Sequence, residues 1–267
     1  ITFIGGGNMA SAIVGGLLRQ GHPAERLQIV EPWDEQRAKL ALQFPGVTVL
    51  PQAGPALQPS GLVVWAVKPQ TFKEAALTSQ PHLAGALHLS VAAGITSESI
   101  AGWLQTQRIV RAMPNTPALV GLGMTGLFAR TGANDADRAL VEAVVRTTGE
   151  LVWVQEEQQL DAVTALSGSG PAYVFYFLEA MRDAGAQMGL PPEVAYQLAV
   201  GTFVGASTLA QRSEDPPQTL RERVTSKGGT TAAALNHLEA KGVKAKFEEA
   251  LFAAQKRAEE LGREFGK

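Results

Sequence analysis

The 267-residue chain contains no cysteine, which excludes thiol nucleophiles, disulfides, iron–sulfur clusters and the usual structural zinc sites, and agrees with a reducing, cytoplasmic compartment. Histidine is scarce. His22, His82, His88 and His237 show no ligand spacing, and there is no His-Glu-x-x-His, Walker-type loop or Gly-x-Ser-x-Gly elbow, so metal catalysis and hydrolysis have no support. An excess of one charge is also missing. The 23 basic and 25 acidic residues leave a net charge of −2, without the footprint of a nucleic-acid or anionic-membrane partner. Three stretches poor in charge reach the length of a spanning helix, 1–18, 162–178 and 194–211. The first is broken by Gly5 to Asn8 and lacks a basic leader region, so it is neither a signal peptide nor a membrane span. The other two carry Gly, Ser, Thr or Gln and read as buried helices of a soluble protein. What the chain has in quantity is glycine, 28 residues, or about one in ten against a typical ~7%. With 45% apolar residues, it is long enough to bury one or two cores without covalent staples.

Through residue 156, β-rich runs alternate with helical patterns, the order that predicts parallel strands joined by crossover helices. Strands are expected at 2–4, 27–30, 47–50, 62–67, 87–91, 109–112, 125–129 and 151–154, and helices at 9–20, 35–44, 97–104 and 135–147. The fold class is therefore α/β, a doubly wound Rossmann-type sheet over 1–156. From 157 to 267 only helices are expected, at 171–188, 192–211, 218–224, 230–241 and 243–264. The run from Ala172 to Leu178 is apolar on every side, so its helix requires cover all round, which a partner chain can supply. Gly201 and Gly205 suit close helix contacts.

Ile4-Gly5-Gly6-Gly7-Asn8-Met9-Ala10 ends the first strand and opens the first helix, the context of a dinucleotide-binding loop. Gly5 permits the tight turn, Gly7 lets backbone approach a pyrophosphate, and Ala10 allows close helix packing. Glu31 ends the second strand about 20 residues further on, where a carboxylate binds the ribose 2′-hydroxyl. That carboxylate repels a 2′-phosphate, and Arg37, the only compensating charge nearby, reads as a helical surface pair; the cofactor is NADPH or NADH, with Glu31 leaning toward NADH. Ala66-Val67-Lys68-Pro69 and Val91-Ala92-Ala93 follow the fourth and fifth strands, where ligands of open α/β sheets lie. Two prolines stiffen Met113-Pro114-Asn115-Thr116-Pro117 and hold the Asn115 amide, which joins the cofactor-site candidates. Ser167-Gly168-Ser169-Gly170-Pro171 and Thr225-Ser226-Lys227-Gly228-Gly229-Thr230-Thr231 each precede a helix and offer hydroxyls and free N–H groups to an anion such as a carboxylate; ordinary capping is the plainer reading of either alone.

Taken together, Phe3 to Met9, Val67-Lys68-Pro69, Met113 to Pro117, Leu166-Ser167-Gly168-Ser169-Gly170-Pro171-Ala172-Tyr173 and Thr225 to Thr231 resemble the pyrroline-5-carboxylate reductase family across essentially the whole chain. The resemblance implies an all-α C-terminal dimerisation domain, a homodimer or a ring of dimers, and reduction of a cyclic imine, 1-pyrroline-5-carboxylate, to proline. It also implies that the substrate carboxylate rests on Ser226, Gly229, Thr230 and Thr231, with the Thr231 hydroxyl facing the ring nitrogen as the catalytic group. Glu157 matches an acidic position near the substrate. Gly5 to Met9, Ala66 to Pro69 and Val91 to Ala93 match the cofactor loops, with Glu31 and Trp33 at the adenosine end. The chain departs at Glu31, where relatives preferring the phosphorylated cofactor tend to carry small hydroxyl residues. Two rival readings remain. A β-hydroxyacid-type dehydrogenase would use a helix lysine, a placement that neither Lys227 nor Lys241 has; a non-catalytic dinucleotide-binding regulator would bind without turnover.

Overall fold

In the computed structural model, which describes every residue except Gln58 and Lys267, alternate apolar residues of short strands divide between two faces of one sheet. The elements of the first half are β1 (Thr2–Ile4), α1 (Asn8–Arg19), β2 (Gln28–Val30), α2 (Asp34–Gln43), β3 (Thr48–Leu50), β4 (Leu62–Trp65), α3 (Pro69–Ser79), β5 (Leu87–Ser90), α4 (Ser97–Leu104), β6 (Ile109–Met113), β7 (Gly123–Ala129), α5 (Asp135–Val145) and β8 (Gly149–Trp153). Phe3, Ile29, Leu62, Val64, Leu89 and Val110 face one way, against Ala10, Ile13, Val14 and Leu17 of α1 and Val141, Val144 and Val145 of α5. Ile4, Val63 and Trp65 face the other way, against Phe72 and Ala76 of α3 and Ile100 and Leu104 of α4. The three- and four-residue spacing along α1 and the two-residue spacing along β4 thus meet in one core. Each fully buried Leu, Ile or Val contributes about 1.5–3 kcal/mol.

The strand order is β3-β2-β1-β4-β5-β6-β7-β8, and every neighbouring pair is parallel except β6 and β7. That exception follows from chain length: only a short loop with a 3-10 turn at Thr116–Val120 joins the two strands, and a parallel crossover requires a dozen or more residues. The chain runs outward from β1 to β2 and β3, then returns to place β4 on the other side of β1. The order reverses between β1 and β4, the position where open α/β sheets bind ligands. Helix α3 is an addition to the sequence expectation. Pro69 reads as punctuation, yet at the first helical position its fixed φ starts a helix.

The remaining elements are α6 (Gln159–Val163), a π-helical turn (Thr164–Gly168), α7 (Gly170–Gln187), α8 (Pro192–Arg212), α9 (Pro217–Arg223), α10 (Thr230–Ala240) and α11 (Val243–Phe265). Two compact units result, Ile1–Gly170 with Ala253–Lys267, and Pro171–Phe252. The expected boundary at 156/157 marks where strands end, whereas the first unit also keeps α6, the π turn and the end of α11. Within the second unit, Gly185 of α7 packs on Ala195 of α8, and Tyr173 and Phe177 meet Phe247 edge-on at 5.6 and 5.9 Å.

The expectation that α7 and α8 are buried is not met within one chain. Only Leu178 and Gly185 of α7 and Ala195 and Ala199 of α8 are buried, while Phe175 is 58% and Tyr176 70% exposed. Leu198, Val204 and Leu209 are open as well, and Gly201 and Gly205, expected at close helix contacts, face open space within this chain. A groove of about 590 Å³ runs between Phe175, Leu178, Arg182, Pro192 and Tyr196. An apolar face of this extent marks an interaction surface. Among the described residues, no helix is long and apolar enough to cross a membrane.

Candidate active site

The loop after β1 is organised from three directions. Gly5 adopts φ +95°, and a Cβ there would lie 2.6 Å from the Ala66 carbonyl oxygen. Its N–H donates to the Val30 carbonyl at 2.8 Å, and Ala66 N–H donates to the Ile4 carbonyl. Gly6 N–H donates to Glu31 Oε2 at 2.9 Å. By contrast, a Cβ on Gly7 would meet nothing within 4 Å among the described residues, and none of these requires glycine at that position. Gly7 is the N-cap of α1 and supplies no side-chain cap. The first turn of α1 therefore starts at the switch point without a side-chain cap from its N-cap residue, which fits the pyrophosphate of a dinucleotide.

Glu31 is buried at 8% exposure, and its second oxygen accepts Trp33 N–H at 3.1 Å. The carboxylate thus pins the glycine loop to the start of α2. Arg37 donates to the backbone carbonyls of Glu31 and Pro32 and pairs with Asp34 three residues earlier, the surface pair expected of it. Trp33 stands 70% exposed beside Glu31. Lys68 is the exposed N-cap of α3, and Ala92 is buried between half-buried Val91 and Ala93. Asn8 and Met9 open α1. The expected cofactor residues after β1, β2, β4 and β5 therefore gather at the carboxyl ends of neighbouring strands.

Asn115 is engaged at both ends of its amide. Nδ2 donates to the Ser167 carbonyl at 3.1 Å, and Oδ1 accepts Met124 N–H at 2.9 Å. This ties the 113–117 loop to the π turn. Glu157 is similarly committed: Oε1 accepts Ser97 N–H at 2.5 Å and Arg111 Nη1 at 2.7 Å, and Oε2 accepts the Ser97 hydroxyl at 2.6 Å. Burial pushes its carboxyl up, but the Arg111 charge and the Ser97 bonds outweigh burial and hold it below the usual range. Nearby Asp161 is raised, chiefly by burial and further by Glu259 and Glu157, against the pull of Arg111. Sequence reasoning missed Arg111 and Ser97. A charged residue in a buried strand, Ile-Val-Arg-Ala-Met, was the available signal.

His88 is buried and accepts Trp65 Nε1–H at its Nδ1, 3.1 Å away. Burial, aided by Arg108, depresses its pKa to about 4. It is a neutral core residue.

In the helical unit, Ser226 through Gly229 turn into α10. Gly228 has φ +74°, and a Cβ on Gly229 would lie 2.4 Å from the Ser226 hydroxyl, which presses that hydroxyl against the helix start. Gly229 is the N-cap and, among the described residues, no side chain caps it. Thr230 and half-buried Thr231 occupy the first helical positions. Free N–H groups flanked by three hydroxyls form an arrangement suited to a carboxylate.

The fold and these loops define a Rossmann-type dinucleotide-binding domain followed by a helical domain, and comparison with known proteins narrows the class. Residues 157–261 match the family model described as pyrroline-5-carboxylate reductase dimerisation, and residues 1–94 match the model described as NADP oxidoreductase, coenzyme F420-dependent. The pyrroline-5-carboxylate reductase of Pseudomonas aeruginosa is 43% identical over 100% of this chain and 98% of its own length. The solved structure of a pyrroline-5-carboxylate reductase from Coxiella burnetii is 39% identical, covers 97% of both chains and superposes with a TM-score of 0.90. That of Plasmodium falciparum pyrroline carboxylate reductase with NADP bound is 28% identical over 98% of this chain and 100% of its own, with a TM-score of 0.83. The chain belongs to the pyrroline-5-carboxylate reductase family. The exposed face of α7 and α8 lies in that family's dimerisation domain, which accounts for the missing cover.

Proposed function

We propose that the protein reduces 1-pyrroline-5-carboxylate to proline with NADPH or NADH, acting as a homodimer or a ring of dimers in a reducing, cytoplasmic setting. The observation that carries this reading is a pair of uncapped helix N-termini in a member of this family, α1 after the glycine loop and α10 after the hydroxyl loop. One suits a pyrophosphate and the other a carboxylate. Gly5 to Met9 hold the diphosphate, Glu31 and Trp33 the adenosine end, and Ala66 to Pro69, Val91 to Ala93 and Asn115 line the crevice. When bound, the dihydronicotinamide supplies the hydride. The chain's own task is to orient the ring, hold its carboxylate on Ser226, Gly229, Thr230 and Thr231, and place the Thr231 hydroxyl where the ring nitrogen takes its proton. Oxidation of either dinucleotide on addition of the cyclic imine tests the reading. A 3-hydroxyacid supporting the reverse reaction, with the imine inert, would favour the dehydrogenase alternative.

The preference for NADH rests on Glu31. Its fixed carboxylate repels a 2′-phosphate, and the Arg37 guanidinium is already committed to Asp34 and two carbonyls. Glu31→Ser is expected to raise the NADPH/NADH ratio of kcat/KM by about tenfold, the equivalent of ~1.4 kcal/mol. Affinity for both cofactors should fall, because Gly6 N–H loses its acceptor. An unchanged ratio in parallel steady-state assays would discard the electrostatic account.

A further inference from the structure

Three residues that grip the 157–170 segment come from β6 and the extended stretch that follows it. Arg111 of β6 holds Glu157, Met113 at the end of β6 lies against Gly168, where a Cβ would come 2.5 Å from its methyl carbon, and Asn115 holds the Ser167 carbonyl. Positions 111, 113 and 115 are spaced by two, so one face of an extended strand and its continuation contacts the segment at both ends. Ser97, the other partner of Glu157, is 1% exposed at the start of α4, just beyond the Val91–Ala93 loop. The Glu157 carboxylate therefore accepts a first-turn N–H of α4 from outside the helix, where negative charge is favoured. Arg130 reaches the same Ser97 hydroxyl at 3.3 Å. Arg111 is 6% exposed, and among the described residues its Nε has no partner. Glu157 is thus the chief neutralisation of a buried guanidinium, and each of its oxygens accepts a bond from within the chain.

We propose that Glu157 is a positioning residue and not a ligand of the substrate: with Ser97 and Arg111 it forms a clasp that fixes the Ser167–Gly170 loop in register with the loop after β5. The π turn that leads from α6 into this loop is a rare geometry, often found at functional sites. Glu157 holds the approach to α6, which runs straight into the π turn, and Asn115 with Met113 holds the end of that turn. The proposal deepens the reductase reading and rests on it.

The test compares kcat and KM for the cyclic imine and for the cofactor in the wild type, Ser97→Ala, Glu157→Gln, Glu157→Ala and the Ser97→Ala/Glu157→Ala double variant. Melting temperatures are measured in parallel. A displaced loop is expected to lower kcat/KM for the imine on the order of 10- to 100-fold in Glu157→Ala, as a misplacement of about 1 Å does. Cofactor KM should stay within about twofold. Ser97→Ala should share the defect in kind, Glu157→Gln should be intermediate, and the double variant should be no worse than Glu157→Ala, as for groups acting as one unit. A direct ligand would instead raise imine KM in the Glu157 variants with Ser97→Ala silent, which overturns the clasp. Lower melting temperatures with unchanged kinetics would overturn it too. Glu157→Gln and Ser97→Ala carry the test should Glu157→Ala fail to fold. Wild-type inactivity toward the imine would sink the reductase reading itself, an outcome distinct from active wild type with a silent Ser97→Ala.

Discussion

Gly5→Ala is expected to abolish dinucleotide binding, whereas Gly7→Ala weakens it in a chain that remains folded. The two residues are glycine for different reasons. At φ +95° an L-residue costs about 1–2 kcal/mol. The added Cβ also meets the carbonyl oxygen and carbon of Ala66 at 2.6 and 2.8 Å, backbone atoms of the neighbouring strand end that cannot rotate away. The loop must shift, which breaks the bond from Gly5 N–H to Val30 and that from Gly6 N–H to Glu31. A loss of roughly 3 kcal/mol or more, on the scale of a special backbone position plus a lost buried hydrogen bond, is expected. At Gly7 an added Cβ would meet nothing within 4 Å among the described residues, so Gly7→Ala leaves the melting temperature nearly unchanged and places a methyl group where the diphosphate approaches. Dissociation constants for NADH and NADPH should rise on the order of 10- to 100-fold, equivalent to about 1.4–2.8 kcal/mol. Titration by quenching of tryptophan fluorescence, alongside thermal unfolding, separates the two effects. Undiminished cofactor binding by Gly7→Ala would remove the α1 N-terminus from the site.

Thr231→Ala is expected to cut kcat for the imine by ~10²-fold, the lower range for loss of a positioned proton donor, with cofactor affinity nearly intact. Thr231 lies in the first turn of α10, so its backbone N–H, and with it the carboxylate contact, survives the substitution. KM for the imine should therefore rise only slightly. A hydroxyl with no base beside it is a weak acid, so the loss should be smallest at low pH, where the ring nitrogen arrives already protonated, and should grow as pH rises. A uniform loss across pH would assign Thr231 to binding alone, and unchanged kinetics would remove it from the mechanism.

Much of the first domain was legible because burial leaves a period. The unbroken apolar run of β4, buried on both faces, and the three- and four-residue spacing of α1 survive translation from sequence to core. Glycine, proline and small residues mark the loops after β1, β4 and β5. The start of α10 was legible through its run of Thr, Ser and Gly. Contacts between distant residues leave no such period. Glu157 meets Arg111 and Ser97 across 46 and 60 residues, so the acid was visible from the chain and its partners were not. The role of Glu31 in pinning Gly6 was hidden in the same way, across 25 residues. Helix α3 was missed because Pro69 has opposite meanings at the start and in the interior of a helix. The apolar surround of α7 was visible, but the sequence did not show that this chain leaves it uncovered.

The central claim is tested most directly by incubating the protein with the cyclic imine and each dihydronicotinamide cofactor in turn, and measuring both dinucleotide oxidation and proline formed. The account predicts one proline for each dinucleotide oxidised with at least one cofactor, and a higher kcat/KM with NADH than with NADPH, in keeping with Glu31. Absence of oxidation with both cofactors, or oxidation without proline, would contradict it.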